Sequence, residues 1–337
     1  MSEDTRSRSG CWRCGCWGCL AVVVGGILLL VVMGVAQYAR QRGEAVVEEV
    51  TSDRALPTVA DLEALRRAGE IGGPTRLPDA EDSAGVAVGT VELDLGLGEF
   101  EIVAGPPGSG VEVSGTYEPD AFNLREELEQ RDDGSWTYRL SFRPRGGMLG
   151  MMFTGAGNDP QNRLRISLPP DKPFDLVGEW GVGEVHAELG GLWLRTVDLE
   201  IGTGGHSVSF STPTVQPVGE VRLRKSIGEL EVDQLGNASP ASAVITQRIG
   251  ELRVDLDGAW IADADLTLRN RLGELDVDAP RGARIEVSGE AQGLVERRID
   301  LPDESALPDD APLLRLDLSA QVGEVRVDPP RRGEDGG

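Results

Sequence analysis

One short phrase recurs along this chain and constrains its fold more than any other feature. It reads LGEFEI at 97, VGEVHA at 182, VGEVRL at 218, IGELEV at 227, IGELRV at 249, LGELDV at 272 and VGEVRV at 322. Four copies continue into an aspartate, at Asp233, Asp255, Asp278 and Asp328. Gly228, Gly250 and Gly273 are 22 and 23 residues apart, and a degenerate copy, IGTGGHSVSF from 201, places Gly204 21 residues after Gly183 and 24 before Gly228. A period near 22 is the signature of stacked repeats rather than of a closed globule.

The stretch LTLRNRLGELDVDAP (266–280) shows what one unit must do. Leu266 and Leu268 alternate inward, the chain turns at Gly273, and Leu275 and Val277 alternate inward again. This is strand, turn, strand, turn, with glycine at the position where other residues are strained. A single coil of this kind cannot bury both of its faces, so neighbouring coils must stack on a shared column of Leu, Val and Ile. The expectation is an all-β, solenoid-like stack of short strands. Period-two segments at 90–95, 100–103, 111–115, 136–142 and 162–169 extend the β reading towards the N-terminus, where they would cover one open end. Pro329 and Pro330 would blunt the other end. The segment 119–134 (PDAFNLREELEQRDDG) fits a short helix or a strand and loop, GPPGSG at 105–110 reads as a turn, and the Met- and Gly-rich 143–160 reads as an excursion from the stack.

The phrase also places Glu184, Glu220, Glu229, Glu251, Glu274 and Glu324 directly after its glycine. Stacking at about 4.8 Å would align them into a carboxylate ladder, whose oxygens suit Ca²⁺. Arginines two residues on, at Arg222, Arg253 and Arg326, favour Arg–Glu ladders instead. The Gly-Gly-x-Gly-x-Asp pattern of calcium solenoids is not present in the phrase, so no cofactor is expected.

Ahead of the repeats lies a different kind of segment. No charged residue occurs from Cys14 to Ala39, and residues 20–38 match the roughly 30 Å of a bilayer core as one helix. Trp12, Trp17 and Tyr38 flank it as interfacial aromatics. A signal peptide cut before Gln37, after the small residues Gly34 and Ala36, is the rival reading. The short head and long tail favour a cytoplasmic N-terminus, with the repeats outside the cytoplasm. The organisation is then a Cys-rich head over 1–19, a transmembrane helix over 20–38, a stalk over 39–85, a β-repeat domain over 86–330 and a tail over 331–337. Within the stalk, GEAVVEEV could prolong the membrane helix and Thr58 could cap a second short one.

Chemistry is sparse. With 57 Asp and Glu against 33 Lys and Arg, the net charge of −24 repels nucleic acid. His186 and His206 are the only histidines, with no G-x-S-x-G elbow and no H-E-x-x-H pair beside them, so the chain is expected not to be an enzyme. Cys11, Cys14, Cys16 and Cys19 form two C-x-x-C half-sites one residue apart, a candidate thiophilic metal site, a set of free thiols or a means of cross-linking copies.

The tandem G-E-[VL]-x-V phrases behind a single apolar span resemble the adhesin-type and "toast rack" β-solenoid domains of bacterial envelope proteins. They are similar to the C-terminal domain of LiaF-type cell-wall-antibiotic response proteins. This resemblance covers roughly 86–330 and implies a scaffold for adhesion, interaction or envelope-stress sensing, with no catalytic residues to carry over. A protein partner, a cell-wall partner or self-assembly fits that reading. The alternative is a secreted carbohydrate-active solenoid enzyme released by signal cleavage.

Overall fold

The computed structural model describes residues 48–54, 88–145, 162–289, 291–302, 305 and 307–330. The expected membrane helix over 20–38, the Cys-rich head, the helix expected from Thr58 and most of the Met-rich excursion lie outside them. Among the described residues, no helix is long and apolar enough to cross a membrane.

In chain order the strands are β1 (Glu48–Arg54), β2 (Gly89–Ala104), β3 (Val111–Tyr117), β4 (Phe122–Gln130), β5 (Trp136–Pro144), β6 (Arg163–Leu168) and β7 (Phe174–Glu188). They continue as β8 (Leu194–Ser209), β9 (Glu220–Asp233), β10 (Ser242–Asp255), β11 (Ala264–Asp278), β12 (Arg284–Ser288), β13 (Ala291–Ile299) and β14 (Leu313–Asp328). All belong to one sheet, whose main path runs β1-β3-β6-β2-β7-β8-β9-β10-β11-β14-β12. The all-β, solenoid-like expectation holds.

The turn expected inside each unit is a bend within an unbroken strand. β2, β7, β8, β9, β10, β11 and β14 are each 14 to 16 residues long and pair in parallel with their neighbours along the stack. Each bends at one glycine: Gly98, Gly183, Gly204, Gly228, Gly250, Gly273 or Gly323, all with φ between +111° and +157°. A second constraint acts at the same atoms. From Gly183 onward, a Cβ on each bend glycine would lie 1.9–2.3 Å from the carbonyl oxygen of the bend glycine in the preceding rung. Backbone meets backbone there, so no side chain fits.

The bend folds the two halves of each strand towards one interior. Leu223, Ile245, Leu268 and Leu318 form a buried column before it, and Leu230, Leu252, Leu275 and Val325 a buried column after it. Return segments close the coils with Leu235 and Ala238, then Leu256 and Trp260, then Ala279 and Ala283, all in the same core. These segments also stack through their backbones: Phe210 N–H donates to Asp233 O at 3.0 Å and Leu256 N–H to Asp278 O at 3.0 Å. Asn237 links three rungs, its Nδ2 donating to Phe210 O at 2.7 Å while its Oδ1 accepts from Ala259 N–H at 3.1 Å.

Three details depart from a simple linear stack. VGEVRL at 218 is not a bend copy: Glu220 pairs with Thr196 and Ser242 at the start of β9, and the bend of that rung is Gly228. At the C-terminal end β14 lies directly against β11, with β12 and β13 on its other side. The end coil is therefore the pair β12 and β13, not the Pro329-Pro330 terminus of β14. At the N-terminal end β2 likewise lies inside an outer coil made of β5 and β6, and antiparallel strands complete the cap, β4 on β5 and β1-β3 on β6. The ambiguous FNLREELEQ is strand β4, and Glu48–Arg54, where a prolonged helix was allowed, is an edge strand. Pairing to an existing edge outweighs local helix propensity in both cases.

Gly183 and Gly219 sit in the identical tetrapeptide VGEV, one at a bend and one at an exposed strand start whose Cβ would meet only Arg195 O, at 3.2 Å. Gly183→Ala should cost more than about 3 kcal/mol, combining left-handed strain with a backbone clash. Gly219→Ala should stay within about 1 kcal/mol. Urea unfolding of the two variants measures the difference, and equal costs would refute the bend assignment.

Candidate ligand groove and its buried polar floor

The outer face just before the bends carries a groove of about 610 Å³ running across the rungs from β2 to β11. Its shape follows from the second residue ahead of each bend glycine. That position is Gly96, Gly181, Gly202 and Ser226 in successive rungs, so the floor is nearly bare backbone, and then Arg248 and Arg271 close the far end. The walls come from the fourth residue ahead of each bend, which is Asp94, Glu179, Glu200, Arg224, Thr246 and Arg269.

Charge is graded along this groove. At the β2 end, Arg143 pairs with Asp94 and, at 2.9 Å, with Glu179. In the middle, Arg224 pairs with Asp198 at 2.9 Å and Glu200 at 3.0 Å. At the β11 end Arg269 reaches Asp317 at 3.8 Å, while Arg248 and Arg271 are exposed and have no ionic partner among the described residues. A chain of net charge −24 thus presents a locally positive groove end. The exposed pairs add little stability, about 0–1 kcal/mol each, but they fix where the charge lies.

Beneath the floor runs the third residue ahead of each bend: Leu95, Trp180, Ile201, Lys225, Gln247, Asn270 and Ala320, all buried. The three polar members share one task. Lys225 Nζ donates to Gly204 O at 2.9 Å, Gln247 Nε2 to Gly228 O at 2.8 Å and Asn270 Nδ2 to Gly250 O at 2.9 Å. Each reaches back to the bend carbonyl of the preceding rung and satisfies it inside the core.

Lys225 also contacts His206 Nδ1 at 2.6 Å, and the imidazole stacks on Trp180 with ring centroids 6.4 Å apart. Burial, reinforced by the Lys225 charge, lowers the His206 pKa to about 3. Burial lowers that of Lys225 to about 8. Burial thus disfavours a charge on either group, and Lys225 Nζ, which donates to Gly204 O, lies directly against the His206 ring. Both groups lie under the floor at 2–3% exposure, so they shape the groove from below rather than meet a ligand.

The residues singled out by the sequence are placed as follows. Glu99 pairs with Glu184, and Glu229, Glu251, Glu274 and Glu324 stand in register on successive rungs, as a ladder requires. Glu220 lies outside the ladder, and Gly205 interrupts it opposite Glu229. Glu251, Glu274 and Asp276 bring one carboxylate oxygen each within 4.8 Å of one another. Arginines run through this cluster: Arg253 binds Glu251 and Glu231, and Arg326 binds Glu324 at 2.6 Å and Asp276 at 3.4 Å. That arrangement is an Arg–acid ladder. His186 is exposed, its Nδ1 2.9 Å from Ser207 Oγ. Cys11, Cys14, Cys16 and Cys19 lie outside the described residues. Sequence reading missed Lys225, Arg248 and Arg271, though aligning the chain on the bend glycines shows all three at fixed offsets.

No family model matches the chain. No curated protein matches it either. Among solved structures it is similar to a Clostridium sporogenes protein described as a "putative cell adhesion protein", at 12% identity and a TM-score of 0.42, covering 84% of this chain and 100% of that one.

The two buried bases predict a particular pH response. Each has a folded-state pKa below its unfolded value, so between the two values the unfolded chain holds more protons and stability rises with pH. Stability should rise from about pH 8 towards 10.5 through Lys225, and fall below pH 6.5 through His206 before the carboxylates titrate. Replacing both, Lys225→Ile with His206→Leu, should flatten both slopes and, because Gly204 O then loses its buried donor, lower stability at pH 7 by about 1–3 kcal/mol. Ile201 already occupies the equivalent position one rung earlier. Thermal melts across pH 5 to 11 test this, and unchanged slopes would refute it.

Proposed function

We propose that this chain is a non-enzymatic envelope scaffold, anchored through residues 20–38 in a bacterial inner membrane, that holds an extended partner in the groove outside the cytoplasm. The groove carries this reading. It is open along the stack, its floor is backbone held rigid by in-register pairing, and its positive end offers guanidinium donors to an anionic group. The ligand chemistry it suits is an elongated protein segment or cell-wall polymer. The resemblance to adhesin-type and LiaF-type domains supports adhesion or envelope-stress sensing as the setting.

The test is retention of envelope components by the full chain. Immobilised protein is incubated with isolated peptidoglycan and with solubilised envelope proteins, in parallel with Ser226→Trp, which fills the floor, and Arg269→Ala, which removes a wall cation. Retention by the parent chain, lost in Ser226→Trp and weakened in Arg269→Ala, is the expected result. Equal retention by all three chains would place binding elsewhere.

The secreted-enzyme alternative has its own discriminator. An anchored protein keeps residues 20–38, so mass spectrometry of protein from cells should find an N-terminus ahead of Leu20. A mature start at or beyond Gln37 would remove the anchor and turn the reading to a secreted solenoid.

A further inference from the structure

From Gly183 onward the residue directly ahead of each bend glycine is exposed at the corner of the coil. On four successive rungs it is a large aliphatic: Ile227, Ile249, Leu272 and Val322, each 44–47% exposed. Leu294 of β13, 84% exposed, extends the row to the outer coil. In register along the stack, these side chains make one apolar ridge of five rungs, about 20 Å long at 4.8 Å spacing. A continuous exposed row of this kind, unlike scattered surface aliphatics, marks a contact surface.

The flanks of the ridge say what covers it. Two adjacent rungs across it read in order Arg248-Ile249-Gly250-Glu251 and Arg271-Leu272-Gly273-Glu274, while Ser226 and Gln321 hold the arginine position on the rungs to either side. On these two central rungs one side of the ridge is therefore cationic, and the other is anionic. Arg248 and Arg271 have no ionic partner among the described residues, and neither do Glu229 and Glu274 on the opposite flank. This pattern is complementary to itself under one operation. A two-fold axis running along the ridge lays ridge on ridge and exchanges the flanks, setting the unpaired Arg271 against the unpaired Glu274 of the second copy, and Arg248 against its Glu251, which Arg253 of that copy also holds. An axis across the ridge would instead set arginine against arginine.

We propose that two copies of this chain associate side by side through the ridge, with their stacks parallel. The interface is isologous, and every ridge residue meets its own equivalent on the axis. The strip is narrow, about four residues or 13 Å across, so it covers well under the roughly 800 Å² per partner of a standard interface. Association is accordingly reversible. A parallel axis keeps both N-termini at the same end, though the proposal rests neither on the membrane anchor nor on occupancy of the groove.

Single-cysteine cross-linking tests it on the full chain, with Cys11, Cys14, Cys16 and Cys19 changed to Ser. Ile227→Cys, Ile249→Cys, Leu272→Cys and Val322→Cys are made one at a time, and Ser211→Cys serves as an exposed control away from the ridge. The parallel axis requires all four ridge sites to form a covalent dimer with a short bis-maleimide, and the control none. In the Ile249→Cys background, Arg271→Glu should lower the yield severalfold and the further change Glu274→Arg should restore it, because the exchange keeps the pair complementary. Cross-linking at one ridge site alone, efficient pairing of Ile227→Cys with Val322→Cys, or no ridge cross-link in chains with the parental melting curve would each overturn the proposal. The ridge sites are already exposed, so these substitutions leave the core intact.

Discussion

The structure depends on one close approach. At every bend the carbonyl oxygen of one glycine occupies the space where the next rung's glycine would carry a Cβ, from Gly183 through Gly323. This approach sets the rung spacing and the angle between the strand halves. It also aligns the columns Leu223, Ile245, Leu268 and Leu230, Leu252, Leu275 into one core. Dispersion and hydrophobic burial supply the stability, but the glycine stack sets the register in which they act.

A bend inside a buried strand exposes backbone carbonyls to the core, and the chain meets that demand with side chains. Lys225, Gln247 and Asn270 each bind the bend carbonyl one rung back. The column therefore changes from the apolar Leu95, Trp180 and Ile201 to polar residues partway along the stack. Lys225 and His206 are the costly members, since burial opposes a charge on either. Their position under the groove floor ties the stability of the scaffold to the surface above it.

The same offsets that build the interior also shape the surface. Glycine at the second position before the bend opens a groove over the early rungs, and arginine at that position in later rungs closes it. The next residue along forms the aliphatic ridge, and the one after the glycine forms the carboxylate flank. Groove, ridge and acid ladder are three parallel stripes of one repeat. Repetition turns single residues into extended surfaces, as expected when a fold grows in one dimension.

The repeat period, the β class, the inward columns at Leu230, Leu252 and Leu275 and the glutamate phase were all legible in the amino-acid sequence. They depend on local spacing, and an in-register stack preserves local spacing. Which copies of the phrase are bends was not legible, because VGEV at 182 and at 218 is the same string and only its neighbours across the sheet differ. The placement of β14 inside the β12 and β13 coil was hidden for a related reason: strand order is decided by pairing between segments far apart in the chain. Tertiary structure alone decided that Lys225 meets His206, that Arg248 and Arg271 form no ion pair among the described residues, and that Ile227, Ile249, Leu272 and Val322 lie outside the core. A bend reverses the alternation that a straight strand would continue, so the face a residue takes near the corner is set by the fold and not by its place in the pattern.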